Sequence, residues 1–279
     1  MNVIMAGIPR SGTTLACHLL NQLPNVVALV EPMDMNALMS ESTSEGRMRH
    51  IERYCASVRH DLHNGGRVRA NQVGGNGTNT FGEAGGGEGR KASLIFEGVL
   101  DIDKPLQEGF SLVIKHPNAF SALLPELTTA FSCYAIIRNP LSVLASWNSL
   151  DHPLSKGRAP MAEAFDKYLC RQLDVAVDDL DRQLVLLGWY YEQYLRVLGR
   201  DRVIRYEDMI ATDGQALRVI DMSALHLSKP LASRNSNGLY SSAFTEAAYE
   251  RLLSMPSHDS FSFYTAKDLE GIYQEILSR

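Results

Sequence analysis

The sequence predicts an α/β domain: a P-loop-like, doubly wound, mainly parallel central sheet with helices on both faces and a helical C-terminal part. Three observations predict it. Short apolar runs rich in β-branched residues alternate with segments of helical spacing through the first half of the chain. These runs end on residues of marked chemistry, at Gly7, Glu31, Lys115 and Arg138. The C-terminal third carries its apolar residues mostly at helical spacing. Strand and helix in alternation call for parallel pairing through crossover connections, and near-continuous apolar runs belong to strands buried on both faces.

In chain order, Val3 to Ala6 form the first strand, stopped by Gly7, and Leu15, Leu19, Leu20 and Leu23 mark a helix over Thr13 to Leu23. Val26 to Val30 is a second buried strand, whose end places Glu31 at the carboxyl edge of the sheet. Asn64 to Arg90 contains ten glycines and almost no large apolar side chain. Such a stretch buries too little surface to offset its ordering entropy, so a flexible surface insertion is expected there, with a lid over a site as the sharper alternative. Strand-like runs resume at Ser93 to Leu100, Ser111 to Lys115 and Ser132 to Ile137, with a helix over Asn118 to Thr129. Steps of three and four from Phe165 to Leu198 mark one long amphipathic helix or a helix pair, with Asp174, Asp178 and Asp181 as its solvated face. Arg202 to Arg205 is a short last strand. A single domain over residues 1–279 is the expectation.

The 27 Lys and Arg against 32 Asp and Glu leave a net charge of -5. A nucleic-acid surface needs a basic face, so no nucleic-acid partner is expected, and any bound anion must meet a local cluster. Cys17, Cys55, Cys133 and Cys170 lie far apart without a CxxC pair, which fits neither a zinc knuckle nor a disulfide framework. The N-terminus lacks a charged region followed by an apolar one, and no apolar run approaches the length of a membrane span. A cytoplasmic protein without a transmembrane segment is expected.

Gly7-Ile8-Pro9-Arg10-Ser11-Gly12-Thr13-Thr14 lies between the first strand and the first helix, where backbone N–H groups and the positive helix end receive an anion. A nucleoside triphosphatase needs Lys after the second Gly of this loop. Here Thr13 follows Gly12, and the charge comes from Arg10 inside the loop. A second junction lies at Ile137-Arg138-Asn139-Pro140: Arg138 ends a strand, Asn139 is a natural N-cap, and Pro140 suits the first helical position. Ser142, Ser146 and Ser149 fall on one stripe of the following helix.

PRSGTTL, taken with the Arg138 to Ser146 segment, resembles the cofactor-binding signature of the sulfotransferase family that uses 3′-phosphoadenosine 5′-phosphosulfate (PAPS), closest to its tyrosylprotein and bacterial branch. The resemblance implies that Arg10, Ser11, Gly12, Thr13 and Thr14 hold the 5′-phosphosulfate and that Arg138 and Ser146 hold the 3′-phosphate. It implies PAPS as sulfuryl donor, 3′-phosphoadenosine 5′-phosphate (PAP) as product, and no metal. Ser-Leu-Val-Ile-Lys115 is similar to the family's catalytic Lys strand, which makes Lys115 the stabiliser of the leaving group. Val203-Ile-Arg-Tyr206-Glu207-Asp208 is similar to another family segment. The Arg-Lys-Gly segment of the cytosolic branch is missing; Ser233 to Ser236 is either its substitute or an ordinary polar loop.

Sulfuryl transfer requires donors for the anion, a cation at the departing oxygen and a base for the acceptor's proton. Two residues qualify as base. Glu31 follows the second strand as in the bacterial branch, and His116 is similar in place to the base of the cytosolic branch. Glu31 is preferred, because successive side chains of an extended strand alternate and His116 should turn away from the face of Lys115. The acceptor is left open by the sequence: a hydroxyl or amine of a small molecule, a carbohydrate, a lipid-linked group or a protein. Two rivals remain: a P-loop kinase with Leu100-Asp101-Ile102-Asp103 as its metal site, and a nucleotide-binding module without chemistry.

Overall fold

The computed structural model of the chain describes residues 1–73 and 95–279. Its centre is a five-stranded sheet made of β1 (Asn2–Gly7), β2 (Val26–Val30), β5 (Ser111–Lys115), β6 (Ser132–Ile137) and β7 (Val203–Arg205), in the order β2-β5-β1-β6-β7 with every pairing parallel. The strands at 67–73 and 95–101, β3 and β4, form a separate antiparallel hairpin.

Alternation along each central strand builds two cores. Ile4 and Ala6 of β1, Leu112 and Ile114 of β5, and Ala135 and Ile137 of β6 face one side. They pack on α3 (Ser44–Gly65), α6 (Pro140–Asn148) and α9 (Asp179–Val197). Val3, Met5, Val113 and Ile136 face the other side, against α1 (Thr13–Leu20) and α10 (Tyr206–Ala211). Helices therefore cover both faces. α11 (Ser242–Leu253) and α12 (Ala266–Leu277) pack on one another and on α6. Among the described residues, no helix is long and apolar enough to cross a membrane.

Several elements differ from expectation for identifiable reasons. The glycine-rich stretch does not begin at Asn64: α3 runs to Gly65, Gly66 caps it in the left-handed conformation, and β3 follows with Val68 and Ala70 buried. Alternate burial of two modest side chains suffices there because β4 supplies the backbone partners. Residues 74–90 of that stretch lie outside the described residues. β4 joins this hairpin and not the parallel sheet.

The helix expected over Asn118 to Thr129 is two short ones, α4 (Pro117–Ala122) and α5 (Leu124–Leu127). The break falls at Leu123, where Pro125, lacking an N–H, begins the second helix. The long amphipathic stretch is a pair, α8 (Lys167–Asp174) and α9, after the short α7 (Pro160–Phe165). Asp178 accepts the N–H of Asp181 and caps α9, Asp174 pairs with Arg158, and Asp181 pairs with Arg251. Asp174 and Asp178 are exposed and Asp181 is half-buried, as expected of a solvated face, and all three also terminate or tether helices.

Candidate active site

The carboxyl ends of β2, β5, β1 and β6 open on one cavity of about 540 Å³, where doubly wound sheets place their ligands. Arg10, Gly12, Thr13, Thr14, Arg138 and Lys115 line it, as do Glu31 and His116. The sequence-predicted residues thus converge, with two exceptions.

Those exceptions are Ser11 and Ser146. Ser11 is fully buried, its hydroxyl donates to the Ile136 carbonyl at 2.7 Å, and its N–H donates to Ile8 at 3.0 Å. Both of its donors are occupied, the hydroxyl fastening the loop to β6 and the N–H closing a turn within the loop, and it is absent from the cavity lining. Ser146 is also fully buried and accepts Arg10 Nε at 3.3 Å. It holds the arginine of the loop. The serine stripe of α6 is buried throughout, with Ser142 donating to the Asn235 carbonyl and Ser149 to that of Ser146.

The loop is shaped to receive an anion. Arg10 has φ 76° and Gly12 φ 91°, left-handed values that a non-glycine residue adopts at a cost of about 1–2 kcal/mol. A Cβ on Gly12 would meet the Tyr206 ring at 2.7 Å, so glycine is required by conformation and by space. No side chain caps α1, and among the described residues no acceptor meets the amides of Gly12, Thr13 and Thr14 or the hydroxyls of the two threonines. These donors stand at a helix N-terminus, and their residues line the cavity. The indole N–H of Trp147 donates to Pro9 at 2.9 Å and fixes the loop from below.

Arg138, 5% exposed, is the hub of the opposite wall. Its Nε donates to Asn235 Oδ1 at 2.7 Å, one terminal nitrogen donates to the Arg10 carbonyl at 3.0 Å, and the other donates to the Arg234 carbonyl. Its guanidinium lies over the Tyr206 ring, 4.9 Å from the centroid. Among the described residues no carboxylate pairs with Arg138, so its charge is balanced by carbonyls and a π-face alone. Tyr206 accepts the Arg234 N–H at 2.9 Å, and Asn235 donates to Glu207 Oε1 at 3.0 Å. The Ser233 to Ser236 loop is therefore a clasp over Arg138. Neither Asn235, in the loop that the sequence leaves open between a substitute and an ordinary polar turn, nor Tyr206, in the Val203 to Asp208 segment, is assigned to the site by sequence.

Lys115 is 2% exposed and its Nζ donates to Glu31 Oε1 at 2.7 Å. Glu31 has φ 47°; its N–H donates to the Lys115 carbonyl, and its carbonyl accepts the Asn71 side chain at 2.6 Å. Both ends of this unusual backbone are thereby held. Burial alone would raise the Glu31 carboxyl pKa, yet the Lys115 ammonium beside it, helped by its hydrogen bond, holds it below the ordinary carboxylate value. Lys115, expected at the departing oxygen, and Glu31, expected at the acceptor's proton, touch here, since the carboxylate is the anion beside the buried ammonium.

His116 lies beyond β5, as the N-cap of α4, and lines the same cavity as Lys115. It is buried against Phe120, and its Nε2 accepts the Met33 N–H at 3.1 Å. A backbone N–H can only donate, so Nε2 is the unprotonated nitrogen and its lone pair is occupied. Burial lowers its pKa to about 4. The unfolded chain would protonate His116 near pH 6.5 while the folded chain resists to about 4. Stability attributable to this group is complete above 6.5 and drains away as pH falls, by about 3 kcal/mol at the bottom of that window. Denaturant unfolding at stepped pH should show this slope, and His116→Asn should flatten it.

His152, not singled out from the sequence, lines the same cavity, and its Nδ1 accepts the Leu154 N–H at 3.3 Å. Asp101 and Asp103, the acids of the kinase alternative, are exposed and line no part of the cavity, and Asp101 pairs with Arg67 at 2.6 Å on the hairpin.

No protein-family model and no curated protein sequence matches the chain. Among solved structures, a sulfotransferase from Alicyclobacillus acidocaldarius is similar over 98% of this chain and 95% of that one, at 15% identity and a TM-score of 0.43.

Proposed function

We propose that this chain is a single-domain, cytoplasmic sulfotransferase that moves the sulfuryl group of PAPS to an acceptor hydroxyl or amine. The observation that carries the proposal is the convergence, in one cavity, of an unoccupied set of loop amides, a buried lysine paired to a glutamate, and an arginine without a carboxylate partner. The residues fit a nucleotide bearing two anionic ends. Amides of Gly12 to Thr14, the Thr13 and Thr14 hydroxyls and Arg10 suit the 5′-phosphosulfate, and Arg138 suits the 3′-phosphate. Ser146 acts through Arg10, which it orients.

The donor, when bound, supplies an activated sulfur–oxygen bond. Each residue then has a task set by its position. The loop amides fix the anion without reorganisation at the moment of reaction. Lys115, freed from Glu31 by a competing anion, meets the charge on the departing oxygen. Glu31, losing that partner, gains basicity and takes the acceptor's proton. The contact between the two thus stores the base in an inactive state until donor binds. His116 is unsuited to that role, because its acceptor nitrogen is occupied and its pKa is far below neutral.

The test is a pair of variants. Glu31→Gln should lower turnover by at least about 100-fold, the scale of general-base catalysis, with PAP affinity within a few-fold of the parent. His116→Asn should retain most turnover. The reverse pattern would transfer the base to His116.

A further inference from the structure

The cavity divides by charge. The cations that line it are Arg10 from the loop, Lys115 from the end of β5 and paired with Glu31, Arg138 from the end of β6, and Arg234 from the clasp; none belongs to α2, α4 or α7. Beyond Glu31 the wall comes from other elements: Met35 of α2 (Met35–Ser40), Pro117 and Ala119 of α4, Leu154, and Met161 of α7. These lie together, since α7 packs against both α2 and α4.

Three polar groups interrupt this wall, and none brings a fixed charge. Asn118 accepts the Tyr190 hydroxyl at 2.5 Å, which commits its carbonyl. His116 is bonded to the Met33 N–H, and His152 to that of Leu154. Burial pushes both imidazoles below the ordinary histidine value, which disfavours a positive charge on either.

An anionic acceptor needs a cation to offset its desolvation, and a polyhydroxylated one needs many donors and acceptors. The described residues of this wall provide no cation and, beyond the Asn118 amide, few polar groups. Two thioethers, a leucine, an alanine and a proline instead match an apolar body, with methionine adapting to its outline.

Resting on the sulfotransferase reading, we propose that the acceptor is an uncharged alcohol or phenol carried on an apolar body, seated against Met35, Ala119, Leu154 and Met161 with its hydroxyl at Glu31. In the reaction the acceptor oxygen forms a bond to sulfur as the bond from sulfur to the phosphate's bridging oxygen breaks. The bond's electrons leave with PAP, the hydroxyl proton passes to Glu31, and the products are a sulfate monoester and PAP.

The experiment supplies 35S-labelled PAPS at pH 7.5 with 2-naphthol, 1-octanol, N-acetylglucosamine or glucuronate, while calorimetry follows PAP against AMP. One of the two apolar alcohols should be sulfated with kcat/KM at least 100-fold above both sugars. Met161→Lys should reduce that value more than tenfold and leave PAP affinity unchanged. If PAP binds selectively but neither apolar alcohol outpaces the sugars, the acceptor proposal is overturned and the donor assignment stands. Should PAP bind no better than AMP, the donor assignment fails and takes the acceptor proposal with it.

Discussion

Replacing Lys115 by Met should cut sulfuryl transfer by about 100- to 1,000-fold, the loss seen when one preorganised charge-stabilising donor is removed from an active site. Met keeps most of the buried apolar length, so the packing of β5 survives while the ammonium disappears. Its partner then changes too. With the ammonium gone, burial dominates at Glu31 and its carboxyl pKa rises, which moves the acid limb of any residual activity to higher pH. Stopped assays across pH 5 to 9, with PAP affinity measured in parallel, separate this from a binding defect. Retained turnover in Lys115→Met would leave the departing oxygen without a stabiliser and remove Lys115 from the mechanism.

Arg138→Ala should be the most destabilising of the single changes considered. The side chain donates to Asn235, to the Arg10 carbonyl and to the Arg234 carbonyl from a site that is 5% exposed. Its loss leaves buried acceptors unpaired at about 1–3 kcal/mol for each group that water cannot reach. We expect a net loss of about 2–4 kcal/mol in urea unfolding. Arg138→Lys, which restores charge but cannot span three acceptors in a planar fork, should recover only part of it. The same variants should loosen the Ser233 to Ser236 clasp, visible as faster hydrogen exchange at Arg234, whose N–H is held by Tyr206. A loss under 1 kcal/mol with unchanged exchange would contradict the hub.

How much of this was legible in the sequence depends on how local each feature is. The loop from Gly7 to Thr14 and the junction at Arg138 are strand, turn and helix in unbroken succession, and local chemistry specifies them: Asn139 does accept the Leu141 N–H, and Pro140 does open α6. Alternation along β5 was equally local up to Lys115; His116 lies beyond the strand, as the N-cap of α4, and lines the same cavity as Lys115. What the sequence hid is non-local. Asn235 reaches Arg138 across 97 residues and Asn71 reaches Glu31 across 40, and no period or propensity marks either.

Direction was hidden as well. Ser11 and Ser146 sit where hydroxyls are wanted, but whether a hydroxyl faces a ligand or the protein depends on which carbonyl or guanidinium lies beneath it. Ile136 and Arg10 decide that, and both lie more than 100 residues away. The strand at 95–101 was expected from the run Ser93 to Leu100, but its partner at 67–73 escaped because glycine content dominated the composition there, while Val68 and Ala70 were too sparse to register as a strand.

The central claim is that the cavity is built for an adenine nucleotide with a 3′-phosphate as well as a 5′-anion. Titration calorimetry of the unmodified protein with PAP, with AMP and with ATP plus magnesium tests it most directly. The account predicts that PAP binds at least tenfold more tightly than AMP, about 1.4 kcal/mol for the contact made by Arg138, and that magnesium leaves PAP binding unchanged. Equal affinities for PAP and AMP, or tightest binding of ATP with magnesium, would contradict it.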